Sequence, residues 1–117
     1  MDISREMAKT ACRALSEKKA EDLRVIEISE ISPLADYFII ATGSNTNQIQ
    51  AMVDAVDEAL TKEEHQVKQI EGNRNSSWVL MDYGDIIVHI FSQEDRLFYN
   101  LEKIWTDGKR IEVEDLA

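Results

Sequence analysis

One cysteine, one proline and four glycines are spread over 117 residues. Cys12 alone cannot form an internal disulfide, and it falls among the apolar positions of the first helical segment, so it reads as a buried, inert thiol in a reducing compartment. His65 and His89 stand far apart, and with a single cysteine they do not supply the clustered ligands of a structural zinc site. No apolar run approaches the roughly 18 residues that suggest a membrane span. The N-terminal "MDISREMAKTACRALSEKK" lacks the continuous apolar segment of a signal peptide. A soluble, cytoplasmic chain with no membrane contact is expected. Positive charge is scarce too: 13 Lys and Arg stand against 23 Asp and Glu, a formal net charge of -10. Phosphate backbones reward cations, so little direct nucleic-acid contact is expected and a basic protein partner suits the surface better. The plain alternative is that the charge only keeps the protein soluble.

What is present fits one domain. With 44% hydrophobic residues the chain can bury a core of ordinary size. Ile3, Met7, Ala8, Ala11, Ala14 and Leu15 recur at helical spacing and predict a first helix with one buried face. "RVIEIS" puts Ile26 and Ile28 on one side and Val25 and Glu27 on the other, which predicts a short, one-sided strand. After the break at Pro33, "ADYFIIATG" is almost wholly apolar, as an interior strand covered on both faces would be. Gly43 ends it, Ser44, Asn45 or Thr46 can cap a helix, and Ile49, Met52, Val53, Val56 and Leu60 form that helix's apolar stripe. "QVKQIEG" is a weaker strand, with Val67 and Ile70 as its apolar positions. "WVLMDYGDIIVHIF" predicts an antiparallel hairpin turning at Gly84. A last helix, "DRLFYNLEKIW", follows, and "DGKRIEVEDLA" closes the chain. The expected fold class is α/β: one domain over residues 1–117, a mixed sheet flanked by helices, with an acidic, mobile segment from about residue 106.

Chemistry is thin on this scaffold. The turn at Gly43 and Ser44 before a helix N-terminus could hold an anion on free N–H groups, and it is similar to the opening of a nucleotidyltransferase site. Such a site also needs clustered carboxylates to hold magnesium, and no pair one residue apart follows Gly43. Asp54 and Asp57 read as a solvated helix face, and Asp82 and Asp85 flank a turn, where Asp is common for conformational reasons. His89 inside "IIVHIF" reads as a hydrogen-bonded core residue, and His65 as solvated. No Walker loop, GxGxxG or GxSxG occurs. No catalytic residue, cofactor or metal is assigned, and the expectation is a protein that is not an enzyme. A nucleotidyltransferase-like enzyme or nucleotide-binding protein is the alternative.

The aromatics point elsewhere. On the last helix Leu97, Phe98, Leu101, Ile104 and Trp105 gather on one arc, while Tyr99 falls opposite it. Exposed Tyr and Trp are the residue types most enriched in energetic centres of interfaces. Tyr99 is therefore a candidate anchor, and Trp78, which opens the hairpin straight after the polar "NRNSS" segment, is a second. The competing readings are an ordinary exposed tyrosine and a tryptophan that caps one end of the core.

At these residues the chain resembles the ribosomal silencing factor family, RsfS, also called Iojap or YbeB. The match runs from about Ile26 to Trp105, through "DYFIIATGSN", the Glu71–Gly72 pair, "WVLMDYGDIIVHIF" and "RLFYNLEKIW". One departure is that many members carry an arginine just after the Gly-Ser turn, where this chain has Asn47 and Gln48. The resemblance implies a nucleotidyltransferase-like topology without the catalytic acids. It also implies binding to the large ribosomal subunit through ribosomal protein number fourteen, which blocks joining of the small subunit and represses translation under nutrient limitation. The tryptophan opening the hairpin and the tyrosine of the last helix lie in that contact in the family, and they match Trp78 and Tyr99. Asp82, Asp85 and Glu102 are then candidates for meeting basic groups on the partner. A homodimer using the same aromatics is a further expected possibility.

Overall fold

The helical spacing at the start of the chain becomes α1 (Ile3–Glu17), whose Met7, Ala8, Ala11, Cys12, Ala14 and Leu15 are buried. Ile3, placed on that face from its spacing, is instead 54% exposed, while the neighbouring Ser4 is buried and donates to the Asp36 carboxylate. The structure, a computed structural model, describes residues 3–29, 35–72, 78–92 and 109–111. The expected last helix at 95–105 lies outside them.

After α1 the described elements are β1 (Glu21–Glu27), β2 (Tyr37–Gly43), α2 (Thr46–Lys62), β3 (Gln69–Glu71), β4 (Trp78–Asp82), β5 (Ile86–Ser92) and β6 (Lys109–Ile111). The six described strands form one mixed sheet in the order β3-β4-β5-β2-β1-β6. β2 and β5 pair in parallel, and the other neighbours are antiparallel. Together with the two helices this makes a single α/β domain.

Alternation along the strands divides the apolar residues between two cores. Val25, Tyr37, Ile39, Ala41, Val79, Met81, Ile86, Val88 and Ile90 pack against α1 and α2. Ile26, Ile28, Ala35, Ile40 and Phe91 form a second cluster on the other side, joined by Phe38, Trp78 and Ile87. β2 thus has both faces covered, as its unbroken apolar run implies. β1 is not the one-sided strand expected, since Val25 and Ile26 are both buried, one in each core. It also starts earlier, with a register shift between Glu21 and Arg24 where Asp22 takes φ 48°. β3 is an exposed edge strand, and Ile70 is 43% exposed. At the opposite edge β6 pairs Ile111 with Val25 and Lys109 with Glu27, so residues 109–111 belong to the sheet and not to the expected mobile tail.

Both helices end in the same way. Ala20 N–H reaches Leu15 C=O and Lys19 N–H reaches Ser16 C=O; in α2, His65 N–H reaches Leu60 C=O and Glu64 N–H reaches Thr61 C=O. These are paired Schellman closures, with Lys19 at φ 62° and Glu64 at φ 67° in the left-handed position that glycine usually fills. Removing the Cβ penalty at the exposed Glu64 should outweigh glycine's extra unfolded-state entropy. Glu64→Gly is expected to stabilise the fold by about 0.5–1 kcal/mol in denaturant titration. Gly43 is required for a different reason: a Cβ there would lie 2.7 Å from Ile49 Cγ1 and 3.3 Å from Met52 Sδ, both in the core. Gly43→Ala is expected to cost about 1–3 kcal/mol by the same titration, with the loss relieved in Ile49→Ala/Gly43→Ala relative to the two single changes added together.

Candidate functional site

The β4–β5 hairpin carries three of the residues singled out from the sequence. Tyr83 N–H bonds Ile86 C=O at 3.0 Å, and Gly84 opens the two-residue hairpin loop with φ 86°, a conformation that glycine supplies without strain. This register sets which side chains face which way. Val79 and Met81 enter the core under the helices, so Trp78, Leu80 and Asp82 point to the opposite side of the sheet.

Trp78 is half-buried, and it is cross-strand partner to Phe91. Its ring lies 5.4 Å from that of Phe91 at 15°, and 6.3 Å from that of His89 at 23°. The His89 and Phe91 rings are themselves 5.9 Å apart and nearly parallel, and Phe38 meets His89 edge-on at 5.3 Å. Trp78 therefore does cap the second core, as one reading expected, while keeping part of its surface outside.

Asp82 stands four residues along β4, roughly 13 Å from Trp78 at ordinary strand rise, so the two share a face without touching. The carboxylate of Asp82 has a local task. Its Oδ1 accepts the Gly84 N–H at 2.8 Å, and its backbone carbonyl accepts the Lys68 N–H at 2.8 Å. Asp85 is exposed, and its carbonyl accepts the Asp36 N–H at 2.9 Å. A Cβ on Gly84 would meet Lys68 Nζ at 2.7 Å, so an ammonium lies over the glycine that separates the two acids. Spacing along the chain gave no sign of this cation at the hairpin tip. Tyr99 and Glu102 lie outside the described residues, so the structure gathers Trp78, Asp82 and Asp85 onto one hairpin and leaves the other two undescribed.

At the turn of Gly43 and Ser44, where an anion was expected to fit, side chains of the chain itself take the Ser44 and Gln48 N–H groups. Asn45 is the N-cap of α2 and its side chain accepts the Gln48 N–H at 2.8 Å. Gln48 Oε1 in turn accepts from Ser44 N–H at 2.6 Å and Ser44 Oγ at 2.7 Å, in the manner of a capping box. The Gln48 amide nitrogen donates to the carbonyls of Lys18 and Lys19 at 3.1 and 3.0 Å, tying the end of α1 to the start of α2. In the sequence Gln48 stands out only as part of a departure from relatives. Asp57 is likewise not simply solvated: it is half-buried and accepts a 3.5 Å bond from Tyr83 Oη. Burial, followed by the Asp57 charge and this bond, raises the Tyr83 phenol above its ordinary range.

No group of three or more metal-ligating side chains occurs among the described residues. A groove of about 560 Å³ between the outer surfaces of α1 and α2 has Ala14, Ala51, Ala55 and Ala59 along it, with charged side chains around them. Cys12 is buried, and burial pushes its thiol up to about 12, so it stays protonated. No described helix is long and apolar enough to cross a membrane.

An α/β domain with a helical layer on one side of its sheet and an aromatic cluster on the other is the class these observations define. Residues 2–117 match the family model described as "Ribosomal silencing factor during starvation", and the chain belongs to that family. It is 35% identical to a protein named "Ribosomal silencing factor RsfS" from Halalkalibacterium halodurans, over 95% of each chain. A crystal structure of a protein from Chromobacterium violaceum superposes with a TM-score of 0.84 at 32% identity, covering 90% of this chain and 87% of the other. A mouse relative named "Mitochondrial assembly of ribosomal large subunit protein 1" is 32% identical over 79% of this chain and 42% of its own length. These names are those of regulatory and assembly proteins rather than enzymes.

His89 is 6% exposed, and burial lowers its imidazole to about 4 from the usual 6.5. Between those values the unfolded chain takes up a proton that the folded chain refuses, so stability is complete above about pH 6.5 and falls as pH drops toward 4. The loss attributable to this group is expected to reach about 3 kcal/mol at most. Urea unfolding from pH 7 to 4 measures it, and His89→Phe should remove that share of the slope.

Proposed function

We propose that this chain silences translation by binding the large ribosomal subunit through a basic ribosomal protein, the one numbered fourteen, and by standing where the small subunit must dock. The observation that carries the proposal is Trp78, held at the outer end of a ring stack on the sheet face away from the helices, in a chain of the silencing factor family. The name of the mouse relative, which specifies the large subunit, supports the choice of subunit. Trp78 and Tyr99 supply the desolvated apolar centre of the contact, and Asp82, Asp85 and Glu102 meet cationic groups at its edge. With a net charge of -10 the protein is attracted to a basic patch over distances comparable to the Debye length. No bond is made or broken; occupancy is the activity.

Lys68 refines this picture. Its ammonium above Gly84 offsets part of the negative field of Asp82 and Asp85, and the Asp82 carboxylate already serves the turn. The acids are therefore assigned mainly to association rate and salt sensitivity, and the two aromatics to residence time. Trp78→Ala and Tyr99→Ala, each shown to be folded, are expected to weaken co-sedimentation with isolated large subunits by about 30-fold, equivalent to about 2 kcal/mol. Undiminished binding in both variants contradicts this surface, and a wild type that does not sediment with large subunits contradicts the function.

A further inference from the structure

Trp78 could adopt several side-chain orientations at the start of a strand, yet it is stacked. Phe91 lies directly across from it, and His89 sits diagonally, two residues before Phe91 on β5. Both rings are within 23° of parallel to the indole, so the three rings share nearly one orientation. Phe38 on β2 abuts His89 edge-on at 82° and limits its rotation. The indole Nε1 is screened from solvent in this arrangement.

An imidazole in this place needs an explanation. The surrounding cluster is built from Ile26, Ile28, Ile40, Phe91 and their neighbours, and an aliphatic side chain would satisfy burial alone. What a branched aliphatic group cannot provide is a flat face. Offset and edge-to-face aromatic pairs add attraction beyond buried area and select ring orientation.

We propose that His89 is a positioning residue for Trp78: with Phe91 it holds the indole in one orientation, so that the anchor is preset before the partner arrives. The inference rests on the reading of Trp78 as a contact residue. Presetting an anchor removes the ordering cost that binding would otherwise carry, and so strengthens binding without adding a contact. His89 itself is buried and does not touch the partner.

The test uses the full chain carrying Trp105→Phe, so that Trp78 is the single tryptophan. In this background His89→Leu and His89→Met remove the ring at similar size, and His89→Phe retains one. Both ringless variants guard against a folding defect peculiar to either. Tryptophan emission, acrylamide quenching and co-sedimentation with large subunits are measured on samples shown to be folded by circular dichroism. The ringless variants are expected to show red-shifted emission, stronger quenching and about tenfold weaker binding, while His89→Phe matches its parent in all three. Unchanged emission and quenching in the ringless variants, or a His89→Phe variant as impaired as they are, overturns the proposal. Failure of the contact reading looks different: Trp78→Ala then binds large subunits normally while emission still separates the ringless variants from His89→Phe.

Discussion

The parallel pairing of β2 with β5 is the constraint on which the other features depend. Seven residue pairs, from Tyr37–Ile86 to Gly43–Ser92, join two strands whose side chains are apolar on both faces. Such a pair is stable only if each face is covered. One face is covered by α1 and α2, and the strand can feed directly into α2 because Gly43 presents no Cβ to Ile49. On the other face the odd–even alternation of the same strands places Phe38, Ile40, His89 and Phe91. Trp78 then enters through the antiparallel pairing of β4 with β5. The proposed partner surface is thus a by-product of strand register: a one-residue slip in β4 would turn Trp78 toward the helices and Val79 outward.

Polar side chains fasten α1 to α2. A glycine turn leading into a helix N-terminus presents free N–H groups that can meet an acceptor. Gln48 occupies that position, spending its oxygen on Ser44 and its amide hydrogens on the carbonyls that end α1. Thr10, bonded to both carboxylate oxygens of Glu63, links the middle of α1 to the far end of α2. The same element that could have bound an anion therefore fastens one helix to the other. The family assignment rests on sequence likeness over nearly the whole chain rather than on architecture.

The sequence was most readable where one periodicity dominates. The buried faces of α1 and α2, the two-sided β2 and the hairpin about Gly84 follow from spacing, because there the local pattern and the tertiary environment agree. It was less readable at the sheet edges. β6 has only three residues and takes its conformation from β1, and Val25 is buried only because α1 folds back over β1. The candidate site was legible in part. Trp78 was marked by its place after a polar segment, but the stack beneath it depends on a diagonal contact between strands. Lys68 above Gly84 and the roles of Gln48 are likewise contacts between elements, and no one-dimensional pattern encodes them.

Hydroxyl-radical footprinting of the wild-type protein, free and bound to isolated large subunits, reports which side chains the partner covers. Trp78 and Tyr99 are expected to lose reactivity on binding while the outer surfaces of α1 and α2, including Ile3 at 54% exposure, react as before. Protection confined to the helical surface, with Trp78 and Tyr99 unchanged, would contradict it and move the ribosome-facing side of the molecule to the opposite layer.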